Sequence, residues 1–271
     1  MAIEKQAFDV ARRLARKRSA PALHPRGLVC EGTLDVPGTG DGGVPWGVPF
    51  LDRAGEYRVS VRWSRAAGLP AGWPDGLGLA LRVEDAGGPG TPLDLLLTSS
   101  GTGRLGRHVP LPRRDALAGP YSTLLAYRVG GRERVIMADP AGALRPGVTP
   151  GAGAGPGAGH RRVPGDPDAL RAALDRGPVR FELCAAAPDE PWRAFATLTV
   201  RTPRPHGEGA AHAYDPYLHG LPGLRPTHRL HDLRAAAYSG SRHGRGAVLK
   251  DPHDPPRPGQ TTGRRGRPGT P

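Results

Sequence analysis

The sequence predicts an α+β protein built on an antiparallel β-barrel, with flanking helices that include one late in the chain. Three observations carry this. Short stretches alternating apolar and polar side chains recur between residues 28 and 200, as strands with one buried face do. Gly and Pro, at 41 and 32 of 271 residues, punctuate those stretches; about 12% is the ordinary share of the two together. Helical periodicity is clear only over 3–18 and 229–242, which argues against a doubly wound sheet with its many crossover helices. Collagen is excluded because Gly follows no period of three. A long helical bundle is excluded because Gly and Pro interrupt nearly every stretch after residue 20.

The elements follow in order. Residues 3–18 read as an amphipathic helix: Ile3, Ala7, Phe8, Ala11, Leu14 and Ala15 share a face, and Arg12, Arg13, Arg16, Lys17 and Arg18 crowd the others. Ser19, Pro21 and Pro25 stop it. Strands are predicted at 28–36, 56–64, 77–84, 93–97, 132–137, 178–185 and 192–200, while 122–129 fits strand or helix. The cleanest strand sets Tyr57, Val59, Val61 and Trp63 against Arg58, Ser60, Arg62 and Ser64. Its polar face suits a polar cavity as well as solvent. Residues 141–160 form a Gly/Pro-rich low-complexity loop, expected to be flexible. Residues 229–242 form the late helix, with Arg234 and Tyr238 one turn apart. Three segments result: an N-terminal helix (1–20), a main domain (21–245) and a basic tail (246–271) that is disordered by composition.

The formal charge is +13. Such a surplus raises nucleic acid or an acidic surface as a partner. Much of it lies in the two termini, however, and a GC-rich coding bias produces the same excess of Arg, Gly, Pro and Ala. Two cysteines, Cys30 and Cys184, in apolar strand-like runs read as buried free thiols and not as a disulfide framework. No apolar signal-peptide core follows Met1, and no run is long enough for a membrane span, so the expected location is the cytoplasm.

Two motifs are set aside. GTGRLG (101–106) fits a dinucleotide-binding pattern, but Arg107, His108, Val109 and Pro110 do not open a helix, so a turn is expected. His228 and His231, with Asp232, have spacing that could hold a metal, yet carboxylates are sparse there and no HExxH run is present. His24, between two prolines at the entry to the first strand, gains interest only together with Arg62, Ser64 and Tyr238.

HPRGLVCEGTL (24–34) resembles the catalase segment that begins with the distal histidine. VRWS (61–64), DGLGLALRV (75–83) and LDLLLTSS (93–100) resemble the strands that follow it. YDPYLHGLPGLRP (214–226) and LRAAAYSGSRHGR (233–245) resemble the later proline-rich segment and the R-x-x-x-Y helix. Together these blocks resemble a small, divergent member of the heme catalase-like superfamily, of catalase-related peroxidase type. A phosphodiesterase, the generic label some sequences of this kind carry, finds no chemical basis in these residues.

The resemblance implies a catalase-like antiparallel barrel enclosing heme b. It makes Tyr238 the proximal iron ligand, a phenolate whose deprotonated form Arg234 favours. His24 becomes the distal acid/base and Ser64 the residue that orients its imidazole. Arg62 and Arg245 become clamps for the heme propionates. Departures from the pattern are Thr98 where the distal asparagine is expected, Pro21 in place of an arginine, Tyr217 in place of Trp or Leu, and no Phe over 101–115. The implied activity is peroxidase-like, on hydrogen peroxide or an organic hydroperoxide with a small organic co-substrate, and with weak or absent catalase activity. The alternatives are a non-enzymatic heme-binding or sensing protein, and a basic protein that binds nucleic acid or membrane through its termini. No specific nucleic-acid partner is expected, and the resemblance is compatible with a homodimer.

Overall fold

The computed structural model describes residues 26–40, 42–66, 69, 72–140, 162–203 and 214–227. The helix at 3–18, the loop at 141–160, the late helix at 229–242 and the tail at 246–271 lie outside them. The described strands are β1 (Arg26–Val36), β2 (Gly55–Arg65), β3 (Leu77–Val83), β4 (Leu93–Ser99), β5 (Tyr121–Ser122), β6 (Tyr127–Val129), β7 (Arg132–Asp139), β8 (Val179–Ala186), β9 (Arg193–Pro203) and β10 (Leu224–Pro226). Two α-helices accompany them, α1 (Pro49–Asp52) and α2 (Pro167–Arg176).

Alternation along the strands decides the architecture. Val59, Val61 and Trp63 of β2 are buried, and each stands opposite buried neighbours: Cys30 beside Val61, Leu28 beside Trp63, and Leu81 and Leu79 on β3. Eight strands carry such an apolar face, and they pair in the order β7-β5-β4-β3-β2-β1-β9-β8. A further pairing of β8 with β7 closes the ring, so the apolar faces meet inside an antiparallel eight-stranded barrel. The short strands β6 and β10 continue the sheet from β7. Inside, Trp63 meets Phe181 edge-on at 5.4 Å between ring centres, and Phe181 meets Tyr121 at 6.1 Å. The polar atoms of these rings are matched: Trp63 Nε1 donates to the Tyr121 hydroxyl at 3.0 Å, which donates to the Ala116 carbonyl at 2.7 Å.

Closure requires bending. The register between β1 and β9 shifts between Glu31 and Gly32, and a Cβ at Gly32 would collide with the Thr199 carbonyl oxygen. Only glycine lets these backbones approach so closely. Helix α2 starts where Asp166 accepts a hydrogen bond from the Ala169 amide at 3.0 Å, with Pro167 in its first turn. Its buried residues Leu170, Ala173 and Leu174 lie on the side packed against β1 and β9.

The predicted strands are present with small shifts at their ends. The ambiguous stretch 122–129 resolves into β5 and β6. Cys30 and Cys184 are free and buried, and burial pushes each thiol up to about 12. Among the described residues, no helix is long and apolar enough to cross a membrane.

Candidate functional site

The outward face of β1–β4 carries the polar residues that the sequence singles out. Gly27, Ser64, Gly78 and Thr98 occupy one cross-strand row, each opposite the next. At an interstrand spacing of about 4.8 Å, the Ser64 and Thr98 backbones stand roughly 10 Å apart, with Gly78 between them. Two residues along, Val29, Arg62, Ala80 and Leu96 make a second row. The middle of this surface is a floor of small residues, Gly27, Gly78 and Ala80. Arg62, Ser64 and Thr98 stand around it.

Burial shows that this outward face is not a solvated one. Ser64 and Val29 are buried, and Arg62, Ala80, Leu96 and Thr98 are half-buried. Ser64 donates its hydroxyl to the Gly78 carbonyl at 3.4 Å. Gly27 sets the space beside it: a Cβ there would come within 2.5 Å of the Trp63 carbonyl oxygen and 3.1 Å of the Arg62 guanidinium carbon. Glycine at 27 therefore lets the Arg62 head lie close against β1.

The structure thus brings together three of the expected site residues, Arg62, Ser64 and Thr98. His24, Arg234, Tyr238 and Arg245 lie outside the described residues. Among the described residues, no group of three or more His, Cys, Asp or Glu side chains could hold a metal ion.

The third row, Glu31, Ser60, Arg82 and Asp94, holds a cluster that sequence reasoning missed. Arg82 donates to the fully buried Asp94 carboxylate through Nε at 2.8 Å and Nη2 at 2.6 Å. Burial pulls the Arg82 guanidinium down, but its bond to Asp94 and that residue's charge outweigh this and hold it above its ordinary value. Asp94 Oδ2 also accepts the Asp215 amide at 2.7 Å and lies 2.8 Å from His219 Nδ1, and the Asp94 amide donates to the His219 carbonyl. This carboxylate fastens segment 214–227 to the barrel. The available signal was opposite charge at outward positions of adjacent strands. An open cleft of about 510 Å³, lined by Glu31, Arg58, Ser60, Glu84 and Arg201 among others, borders the same row.

GTGRLG is a turn, as expected. Gly101 donates to the Gly106 carbonyl at 3.0 Å, and a single 3-10 turn covers Gly106–His108. Arg107 stacks over the Trp192 ring at 4.3 Å and donates to the Ala186 and Ala187 carbonyls, clasping this turn to the β8–β9 hairpin. Burial, followed by the Arg104 charge, lowers the Arg107 guanidinium below its ordinary value.

Among the described residues, the closed antiparallel eight-stranded barrel with few helices matches a catalase-like fold. Solved structures to which the chain is similar include catalase A from Saccharomyces cerevisiae, with TM-score 0.58 and 10% identity over 83% of this chain. A fungal catalase has TM-score 0.53 at 12% identity and a bacterial catalase 0.54 at 13%, each over 83% of this chain. The chain spans 60%, 59% and 57% of the lengths of these three structures. No protein-family model matches the chain, and no curated protein does so by sequence.

Proposed function

We propose that the chain is a heme-dependent oxidoreductase that uses hydrogen peroxide or an organic hydroperoxide, peroxidase-like and with weak or absent catalase activity. The observation that carries this reading is the placing of Arg62, Ser64 and Thr98 around a small-residue floor on one outward face of a catalase-like barrel. The donor set fits heme b. Gly78 and Ala80 put no bulky side chain on the floor that a flat macrocycle would face, and the Arg62 guanidinium matches a propionate in shape and charge.

Heme, when bound, supplies an iron centre that accepts the oxidising equivalents of the peroxide. Tyr238 would hold that iron through its phenolate, with the Arg234 charge favouring the deprotonated oxygen. Arg62 and Arg245 would hold the propionates. His24 would serve as the acid/base that holds the proton of the peroxide's near oxygen and moves it to the far oxygen. Ser64 orients the imidazole: a hydroxyl that donates to the Gly78 carbonyl retains acceptor capacity for an imidazole N–H. Thr98 offers a hydroxyl where the family resemblance leads one to expect a carboxamide. It therefore binds peroxide through fewer bonds and leaves more room for an organic substituent.

The test is the absorption spectrum of protein expressed with supplementary heme. A ferric Soret band that shifts or vanishes in Tyr238→Phe supports tyrosinate ligation, and colourless protein that takes up no heme overturns the proposal. In the heme-loaded protein, His24→Ala should abolish peroxide-dependent oxidation of an organic dye while leaving the Soret band in place. Unchanged turnover would leave the chain a heme-binding protein with a different distal group.

A further inference from the structure

The cleft of about 510 Å³ that borders the third row has no part in the chemistry proposed above, yet the sheet is deformed where it lies. Its walls come from the outward face of β9, β1 and β2. Gly32 stands opposite Val200 and Glu31 opposite Thr202, so Arg201 is an extra residue with no partner on β1. Such a bulge interrupts alternation and re-aims side chains. Arg201 and Thr202, although consecutive, are both exposed and both line the cleft. On the other side Arg58 of β2 stands beside Thr33. With β1 between them, the Arg58 and Arg201 backbones are roughly 10 Å apart at an interstrand spacing of about 4.8 Å. Among the described residues, neither guanidinium group has an ion-pair partner. Between them Gly32 adds no side chain to the cleft, and Val59 turns its own into the barrel.

The cleft adjoins the candidate heme face. Ser60 and Glu31, which line it, stand two residues along β2 and β1 from Arg62 and Val29, a step of about 7 Å. Its volume lies within the range of about 300–1,000 Å³ usual for small-molecule sites. We infer that this cleft binds the organic co-substrate, a small aromatic acid that carries hydroxyl groups, an inference that rests on the proposed heme chemistry. Arg58 and Arg201 hold the carboxylate. The aliphatic stems of both arginines and the bare backbone at Gly32 receive the ring. Its hydroxyl groups then point towards Glu31 and the Arg62 row. Two such molecules each give up one electron and one hydroxyl proton, and one hydroperoxide takes up both electrons and both protons to leave an alcohol and water. Glu31, Glu84 and Asp85 share the cleft and repel a polyanion, so nucleic acid does not fit it. A neutral phenol leaves both guanidinium groups unused.

Calorimetric titration of the full chain with 3,4-dihydroxybenzoate reads binding without turnover. The expected result is saturable binding that weakens about tenfold in Arg201→Gln and in Arg58→Gln, each of which loses a charge-assisted bond to the carboxylate. Both side chains are exposed, so the variants should fold as the parent protein does. Catechol, which lacks the carboxylate, should bind weakly and equally to all three proteins. In the heme-loaded protein, Arg201→Gln should raise the KM for 3,4-dihydroxybenzoate about tenfold and leave the Soret band in place. No binding, or binding that neither variant changes, overturns the inference whether or not heme is present. Arginine-dependent binding to a protein that takes up no heme would overturn the proposed function and the co-substrate role together, leaving the cleft as an organic-acid site. Arginine-dependent binding to heme-loaded protein with an unaltered KM would overturn the co-substrate role alone.

Discussion

Arg82 and Asp94 face each other across β3 and β4, and the carboxylate between them has four donors or donor candidates within 3 Å. Removing it should unfasten segment 214–227 before it unfolds the barrel. Asp94→Ala is expected to cost about 3 kcal/mol, because Arg82 is left with a nearly buried charge. Native-state hydrogen exchange checks the order of events: the Asp215 amide should exchange much faster in the variant, while the Val61 and Leu81 amides keep most of their protection. Uniform loss of protection would mean that the cluster supports the whole barrel and not one segment.

Tyr121→Phe tests the polar chain within the core. The variant leaves Trp63 Nε1 without its acceptor and the Ala116 carbonyl without its donor, both buried. A loss of about 1–3 kcal/mol is expected from urea titration. A loss below a few tenths would show that repacking or water replaces both bonds.

Gly27→Ala should act on the site as well as on the strand. The new Cβ meets the Trp63 carbonyl oxygen and the Arg62 head, so either β1 or the guanidinium must move. We expect about 1–3 kcal/mol of destabilisation and, if Arg62 holds a propionate, weaker heme retention in a transfer assay to apomyoglobin. Destabilisation with unaltered retention would take Arg62 out of the cofactor site.

Thr98→Asn places a carboxamide opposite Gly78 in the row that contains Ser64. If the missing carboxamide is what limits disproportionation, oxygen release from hydrogen peroxide should rise at least tenfold, and oxidation of bulky hydroperoxides should fall. An electrode trace indistinguishable from that of the parent protein would remove Thr98 from the peroxide pocket.

The buried thiols set an alkaline limit. Burial raises both Cys30 and Cys184 from 9.0 to about 12, so the folded state favours the neutral form more strongly than the unfolded state does. Their contribution is intact below pH 9 and fades as pH rises from there towards 12. Stability measured across that window should fall less steeply in Cys184→Ala than in the parent protein. In the folded protein at pH 8, iodoacetamide should leave both thiols unmodified.

Much of the barrel was legible because alternation is a local signal. Val59, Val61 and Trp63 reveal one face of β2, and Arg62 and Ser64 reveal the other, before any neighbour is known. Strands β5 and β6 were ambiguous because Leu124, at φ 58°, breaks the run between them, and two or three residues are too few to show a period. Helix α2 was missed although Asp166, Pro167, Leu170, Ala173 and Leu174 spell out a cap and an apolar face; the Gly/Pro-rich run just before it masked the signal. The union of Arg82, Asp94 and His219 was not readable, because it depends on cross-strand register and on a contact spanning 137 residues. Ser64 and Thr98 could be matched to motifs individually, but their common row follows only from the pairing of both β2 and β4 with β3.

The direct pairing of β7 with β8 also bears on how this chain tolerates change. Val135 through Asp139 lie against Glu182 through Ala186, so the ring closes whatever length of chain joins the two strands. In general, each doubling of a loop's length costs only about 0.6 kcal/mol in closure entropy. Insertions that leave Val163 buried and bonded to Asp115 and Ala116 can therefore lengthen the chain between β7 and helix α2 at little expense to the barrel. The seam is a natural place to split the polypeptide into two complementing fragments or to relocate its termini.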